Sequence, residues 1–215
     1  DRILDAAEEL FAKQGFSATS LRNVISEAAV NLAAVHYHFG SREELIKAVF
    51  ARRFEPINRE RIELLDVLES NTARGSKRLD HRLERILDIL LSPLLRAARD
   101  RPEEWSSVSL LVGRAHTDPD FVVRQILHDQ FLEVFARFSS ALGQCLPALG
   151  EEELLCRFHF VITAMAVTLV HGDDIRTLSD GKLDPGRDPE VFARRWVAFA
   201  AAGLRAPASD NGEER

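Results

Sequence analysis

Residues 19–39, TSLRNVISEAAVNLAAVHYHF, carry two short apolar-periodic runs on either side of a tight turn. The first places Leu21, Val24, Ile25 and Ala28 at the spacing of one helical stripe. The second opens at Asn31, a good N-cap residue, and turns Leu32, Val35 and Phe39 inward. Helices this short are not stable alone in water, so both must be held on a third. Residues 2–14 supply it, with Ile3, Leu4, Ala7, Leu10 and Phe11 on one face and Gly15 ending the helix. Two short helices held on a third form a helix-turn-helix, whose second helix has the width of a DNA major groove.

The exposed face of the second run is expected to carry the chemistry. Ala33 and Ala34 are small enough to let the helix approach the groove and touch thymine methyls. His36 is the leading candidate for a base or phosphate contact, with Tyr37 and His38 beside it. His36 and His38 are two residues apart and cannot share a helical face, which argues against a metal pair. Thr19 and Ser20 are hydroxyls at the start of the preceding helix. Each can serve as a plain cap, as a phosphate ligand, or as both. After Gly40, Ser41 and Glu44 have the spacing of a capping box for the next helix.

Bulk charge does not by itself announce a nucleic-acid partner. The 215-residue chain has a net charge of −6, and residues 1–55 hold seven Lys and Arg against eight Asp and Glu. Phosphate contact needs a few donors on one face rather than a basic domain. The sequence opens at Asp1, and a basic N-terminal arm is expected ahead of it. Cys145 and Cys156 lack metal or redox spacing, there is no signal peptide, and the near-apolar run 158–170 is too short for a bilayer. A cytoplasmic protein with no membrane role, no metal and no cofactor is expected.

The order AAEELFAKQGF, ATSLRNVISEAAV and NLAAVHYHFGSREEL resembles the N-terminal domain of the TetR family of bacterial transcriptional regulators. The likeness covers about residues 1–50, in the family's order and spacing. One departure is Ala29, where the family usually has glycine in the turn. A left-handed residue without glycine costs roughly 1 kcal/mol, so a strained or reshaped turn is expected. The resemblance implies that Tyr37 points its phenol at a phosphate, that Asn31 combines cap and backbone contact, and that Arg42 and Lys47 flank the DNA backbone. Either cation can equally be a solvated charge.

The rest of the chain is expected to be helical throughout. A connector from Ser41 meets Pro56, which should interrupt or kink it, and residues 57–68 continue as a further piece. Residues 70–77 are expected to form a loop. Leu83, Ile86, Leu87, Leu90, Leu91 and Leu94 share one face of a helix kinked at Pro93. Further helices are expected at about 102–115, 119–144, 151–170 and from Asp188 to Leu204, with a loop over 172–187. The fold class is therefore all-α. It comprises an N-terminal three-helix helix-turn-helix DNA-binding domain (1–50), a C-terminal helical ligand-binding and dimerisation bundle (51–204) and a disordered tail (205–215).

ARRFEPINRERIELLDVLE and RFHFVITAMAVTLV are similar to the fatty-acid-responsive PsrA-type branch of that family. The resemblance implies a small hydrophobic effector, a homodimer and a palindromic double-stranded DNA operator. Pocket candidates are Leu90, Leu94, Trp105, Leu111, Arg114, Phe131, Phe135, Phe158 and Met165, each of which can also be plain core. His116, His128 and His159 are further polar residues near that region. The helices at about 151–171 and 188–204 are expected to form the dimer's four-helix bundle. Its interface candidates are Val161, Ala164, Thr168, Phe192, Trp196 and Phe199.

No phosphate-cradling glycine loop, G-x-S-x-G elbow or H-E-x-x-H motif is present, so no catalytic residues are assigned. His116 to Asp120 holds metal-capable side chains, but Asp118-Pro119 is better explained as a helix start. The expectation is a ligand-responsive repressor released from its operator by the effector. The alternative is a helical protein-protein interaction module with little DNA affinity.

Overall fold

The computed structural model describes residues 2–31, 37–73, 81–170, 172–184 and 187–207. Among them there is no strand. The helices are α1 (Arg2–Gln14), α2 (Leu21–Ala28), α3 (Arg42–Ala73), α4 (Arg82–Asp100), α5 (Pro102–Thr117), α6 (Phe121–Asp129), α7 (Leu132–Cys145), α8 (Glu151–Val170), α9 (Gly172–Leu178) and α10 (Pro189–Arg205). Residues 37–39 are also helical. The chain forms two compact units, one of Asp1–Glu60 with Ala97–Glu133 and one of Arg61–Arg96 with Val134–Arg215.

The first unit is organised on aromatic packing. Phe11 stacks on Phe16 at 4.8 Å, Phe16 meets Phe50 at 5.6 Å, and Phe54 meets Phe131 edge-on at 5.0 Å. Phe11, Phe16 and Phe50 are buried, and burying each contributes about 2–3 kcal/mol. Val24 and Ala28 bring α2 onto this core, while Leu45 and Val49 bring α3. Val108, Leu111 and Ala115 of α5 and Val123, Ile126 and Leu127 of α6 complete it. The helix-turn-helix thus shares one core with residues distant in sequence.

In the second unit, α4 buries the stripe Leu83, Ile86, Leu87, Leu90, Leu91 and Leu94. Phe135 stacks on Phe158 at 5.2 Å, joining α7 to α8, and α10 packs on α8 with Trp196 buried. Arg157 is buried at the end of α10. It donates Nη1 to the carbonyls of Gly203, Leu204 and Ala206, and Nη2 to that of Pro207. These are the orphan acceptors of a helix C-terminus, which glycine-based caps satisfy elsewhere.

Several expected boundaries move. α3 runs unbroken through Pro56 and on to Ala73, so the connector is one helix and residues 70–73 are its last turn, not a loop. A proline removes one internal hydrogen bond; buried Phe54 and Ile57 on either side offset that loss. The single helix expected over 119–144 is two. It breaks at Gln130 and Phe131, whose amides donate to Leu127 and His128 three residues back. Asn58 takes the Gln130 carbonyl at 2.7 Å, and Phe131 turns onto Phe54, so tertiary contacts hold a break that no glycine or proline announces. Within the loop expected over 172–187, Gly172–Leu178 is helical. α10 extends to Arg205, and residues 208–215 of the expected tail lie outside the described residues.

Candidate nucleic-acid interface

The helix-turn-helix starts at Ser20. Its hydroxyl caps α2 by accepting the Asn23 amide at 3.2 Å, while the Asn23 side chain accepts the Ser20 amide at 3.0 Å. This reciprocal box uses asparagine where glutamate is more usual. It leaves Ser20 and Arg22 exposed at the positive end of the α2 dipole. Arg22 escaped the sequence reading, although its place two residues after the cap was a signal.

The turn after α2 has the geometry expected of a strained Ala29. Its φ is 50° and ψ 47°, and its amide donates to the Ser26 carbonyl at 3.2 Å. The Val30 amide closes the six-residue loop onto the Ile25 carbonyl at 3.2 Å. This is the helix-ending motif that normally places glycine at the left-handed position. Past the second helix, Gly40 takes φ 70° with open space around it.

Between these turns, Asn31 is exposed. Ala33, Ala34 and His36 lie outside the described residues. Tyr37 is 86% exposed and meets the His38 ring edge-on, so its phenol reaches into solvent. His38 is likewise exposed. Lys47 sits one helical turn past Glu44 and pairs with it at 2.7 Å, which holds the ammonium pKa above its ordinary value. Both partners are about half exposed, and such pairs are worth little, so the Lys47 ammonium can exchange Glu44 for a phosphate. The two cations and the phenol that stand outward here carry no base information; they are suited to the DNA backbone.

Two expected contacts are spent inside the protein. Thr19 is 2% exposed, and its hydroxyl donates to the Gly15 carbonyl at 2.8 Å, so it secures the loop and does not face a phosphate. Arg42 donates Nε to the Thr19 carbonyl at 3.2 Å and Nη2 to the Phe16 carbonyl, and faces Asp120 at 3.8 Å. Its Nε and Nη2 are engaged with backbone oxygens, which gives it a positioning role. Ser41 caps α3 through the Glu44 amide at 3.2 Å, but Glu44 turns to Lys47 and its side chain closes no reciprocal box.

The expected effector residues are divided between the two units. Trp105, Leu111 and Phe131 pack on the core of the first unit. Arg114 also belongs there, donating to the carbonyls of Ala12 (Nε) and Lys13 (Nη2, 2.7 Å) at the end of α1, so it is a helix cap and not a head-group ligand. Leu90, Leu94, Phe135, Phe158 and Met165 belong to the second unit. The expected interface residues Val161 and Trp196 are buried within their own unit, while Ala164, Thr168 and Phe192 are half-buried. The most exposed apolar residues described on α8 are Phe160, 64% exposed, and Val167, 53% exposed, and on α10 Phe199, 68% exposed. On α8, Phe160 and Val167 each stand one residue before the expected Val161 and Thr168, whereas Phe199 is itself an expected interface residue. Among the described residues no group of three or more His, Cys, Asp or Glu could hold a metal, and no helix is long and apolar enough to cross a membrane.

Two family models match the chain. Residues 3–49 match the bacterial regulatory proteins of the tetR family, and residues 88–203, more than half of the chain, match the tetracyclin repressor-like C-terminal domain. The HTH-type transcriptional regulator SrpR of Pseudomonas putida is 41% identical over 56 residues, which is 26% of this chain and 26% of SrpR. The chain thus spans about a quarter of that relative in the alignment. The fold is shared with FadR from Bacillus subtilis, solved in complex with stearoyl-CoA (TM-score 0.60, 12% identity, 94% of this chain and 97% of that one). It is shared also with SmeT in a triclosan complex (TM-score 0.61, 16% identity, 100% and 97%). With a helix-turn-helix match at its start and a repressor-like match over most of the remainder, the chain belongs to the TetR family of bacterial regulatory proteins.

Proposed function

We propose that this chain is a homodimeric, ligand-responsive transcriptional regulator that represses from a palindromic operator. The observation that carries the reading is the outward set of Ser20, Arg22, Tyr37 and Lys47 around the recognition segment, on a chain of this family. Ser20, Arg22, Asn31, Tyr37, His38 and Lys47 contact the phosphate backbone, and the segment with Ala33, Ala34 and His36 reads bases. Arg42 holds the start of α2 in place behind them.

A second copy covers the apolar faces of α8 and α10 through Phe160, Val167 and Phe199, with Ala164 and Thr168 beside them. A two-fold pair of recognition helices about 34–36 Å apart then reads two half-sites. The effector is a small hydrophobic molecule held in the second unit near Leu90, Leu94, Phe135, Phe158 and Met165. Relatives of this fold solved with stearoyl-CoA and with triclosan support that class, and a fatty acid or acyl-CoA is the first to try. It releases the operator by binding the DNA-incompetent state more tightly, since differential affinity is the only source of such a shift.

The test is selection of bound duplexes from a random DNA pool by the full-length protein, with and without palmitoyl-CoA. Enrichment of a palindrome, lost with the acyl compound present, is the expected result. No enriched sequence at low salt would overturn the DNA reading and favour a protein-protein interaction module.

A further inference from the structure

Residues 118–120, which join α5 to α6, touch the loop that feeds α2. Asp118 is 6% exposed, and its carboxylate accepts the Ser17 hydroxyl at 2.8 Å, the Ser17 amide at 3.3 Å and the Asp120 amide at 2.9 Å. Asp120 caps α6 by accepting the Val122 amide at 3.0 Å, and its other oxygen faces Arg42. Arg42 in turn donates to the carbonyls of Phe16 and Thr19. Arg124 donates to the Asp118 carbonyl at 2.9 Å, fixing the linker itself. From α3 and the α5–α6 linker, residues 16–19 are therefore gripped by Asp118 directly and by Arg42, which faces Asp120.

A helix cap explains Asp120; it does not explain why Asp118 is buried against Ser17. A carboxylate taken out of water needs hydrogen-bond donors, and the Ser17 hydroxyl and amide supply two of the three it receives here. The residue after Thr19 is Ser20, whose amide and hydroxyl open α2 toward solvent. Chain continuity couples a shift of the 16–19 loop to the α2 N-terminus.

We infer that Asp118 and Asp120 are positioning residues for operator binding, clamping the α1–α2 loop so that the start of α2 is presented to phosphate. The inference rests on the DNA-binding reading above. Neither side chain meets DNA: one is buried, and both carry the wrong charge. Their effect passes through Ser17 and Arg42.

The test uses the full chain and two readouts. Amide hydrogen exchange on the free protein follows residues 17–22 in Asp118→Ala, Asp118→Asn and Ser17→Ala. Operator anisotropy, taken well below the thermal midpoint where all variants are folded, follows affinity at several salt concentrations. Asp118→Ala is expected to speed exchange at residues 17–22 and weaken operator binding about tenfold, the weight of one lost buried hydrogen bond. The slope of log K against log salt should stay as in wild type, because no phosphate contact is removed. Asp118→Asn keeps an oxygen for the Ser17 hydroxyl and should recover most of the affinity, while Ser17→Ala should reproduce part of the loss. A purely structural residue would lower the thermal midpoint and leave the affinity of the folded protein alone. Unchanged affinity in Asp118→Ala, or a flattened salt slope, would overturn the inference. If wild type binds no duplex, the DNA reading fails, and exchange at residues 17–22 still decides whether the clamp exists.

Discussion

The two units bury charge of opposite sign. In the first, the buried ionisable residues are carboxylates, Glu8 and Asp118; in the second they are guanidinium groups, Arg61 and Arg157. Glu8 on α1 receives Arg52 and Arg53 from α3, and Arg53 reaches on to Glu104 of α5. Glu104 is held below its ordinary pKa chiefly by that hydrogen bond. Arg61 instead donates Nε to the Leu90 carbonyl at 2.7 Å, and burial pulls its pKa down to about 10. Arg157 gathers four carbonyls at the end of α10.

The difference follows from the groups. A carboxylate accepts donors arriving from several helices and so binds helices side by side. A guanidinium donates to carbonyls, which helix geometry exposes at ends and near prolines, so Arg61 of α3 ties to a carbonyl of α4 and Arg157 of α8 to the end of α10. The first unit is braced across its helices and turns polar groups outward. The second is tied through guanidinium-to-carbonyl bonds at its core and turns Phe160, Val167 and Phe199 outward.

The largest effect should come from the brace. Glu8→Ala leaves Arg52 and Arg53 without their shared carboxylate and is expected to cost about 3–5 kcal/mol in urea unfolding. A loss under about 1 kcal/mol would mean that the cluster is solvated and the contrast is false. Next is the apolar face: Phe160→Asp should raise the dimer dissociation constant about 100-fold or more by sedimentation equilibrium, as a central aromatic anchor does. A dimer of unchanged affinity would place the partner elsewhere.

Arg157→Ala should cost about 2 kcal/mol, with faster amide exchange confined to the end of α10. Uniformly faster exchange across the second unit would show that Arg157 braces several helices. The smallest effect runs the other way. Ala29→Gly relieves the left-handed turn and should stabilise the protein by about 0.5–1 kcal/mol in the same urea experiment.

How much of this was legible depends on the range of each interaction. α1 and α8 follow apolar spacing and local caps, and their limits are readable from single residues such as Gly15 and Glu151. The all-helical fold and the strained Ala29 were readable for the same reason. The break at Gln130 was not, because Asn58 and Phe54, some seventy residues earlier, hold it. Arg42 and Thr19 lay on the right segment, but their partners are carbonyls of a loop, and spacing cannot tell a carbonyl from a phosphate. The Ser17–Asp118 bond spans 101 residues and leaves no local trace. Phase on α8 was harder than period. A helix apolar on most sides offers two stripes, and only packing decides that Val161 goes in while Phe160 stays out.

The central claim, that the outward edge of the first unit grips a DNA backbone, is tested most directly by the salt dependence of binding to the selected duplex, wild type beside Lys47→Ala. The account predicts weaker binding to every duplex in the variant. It also predicts a slope of log K against log salt shallower by about one per protomer, with the preferred sequence unchanged. An identical slope in the two proteins, or a changed sequence preference, would contradict it.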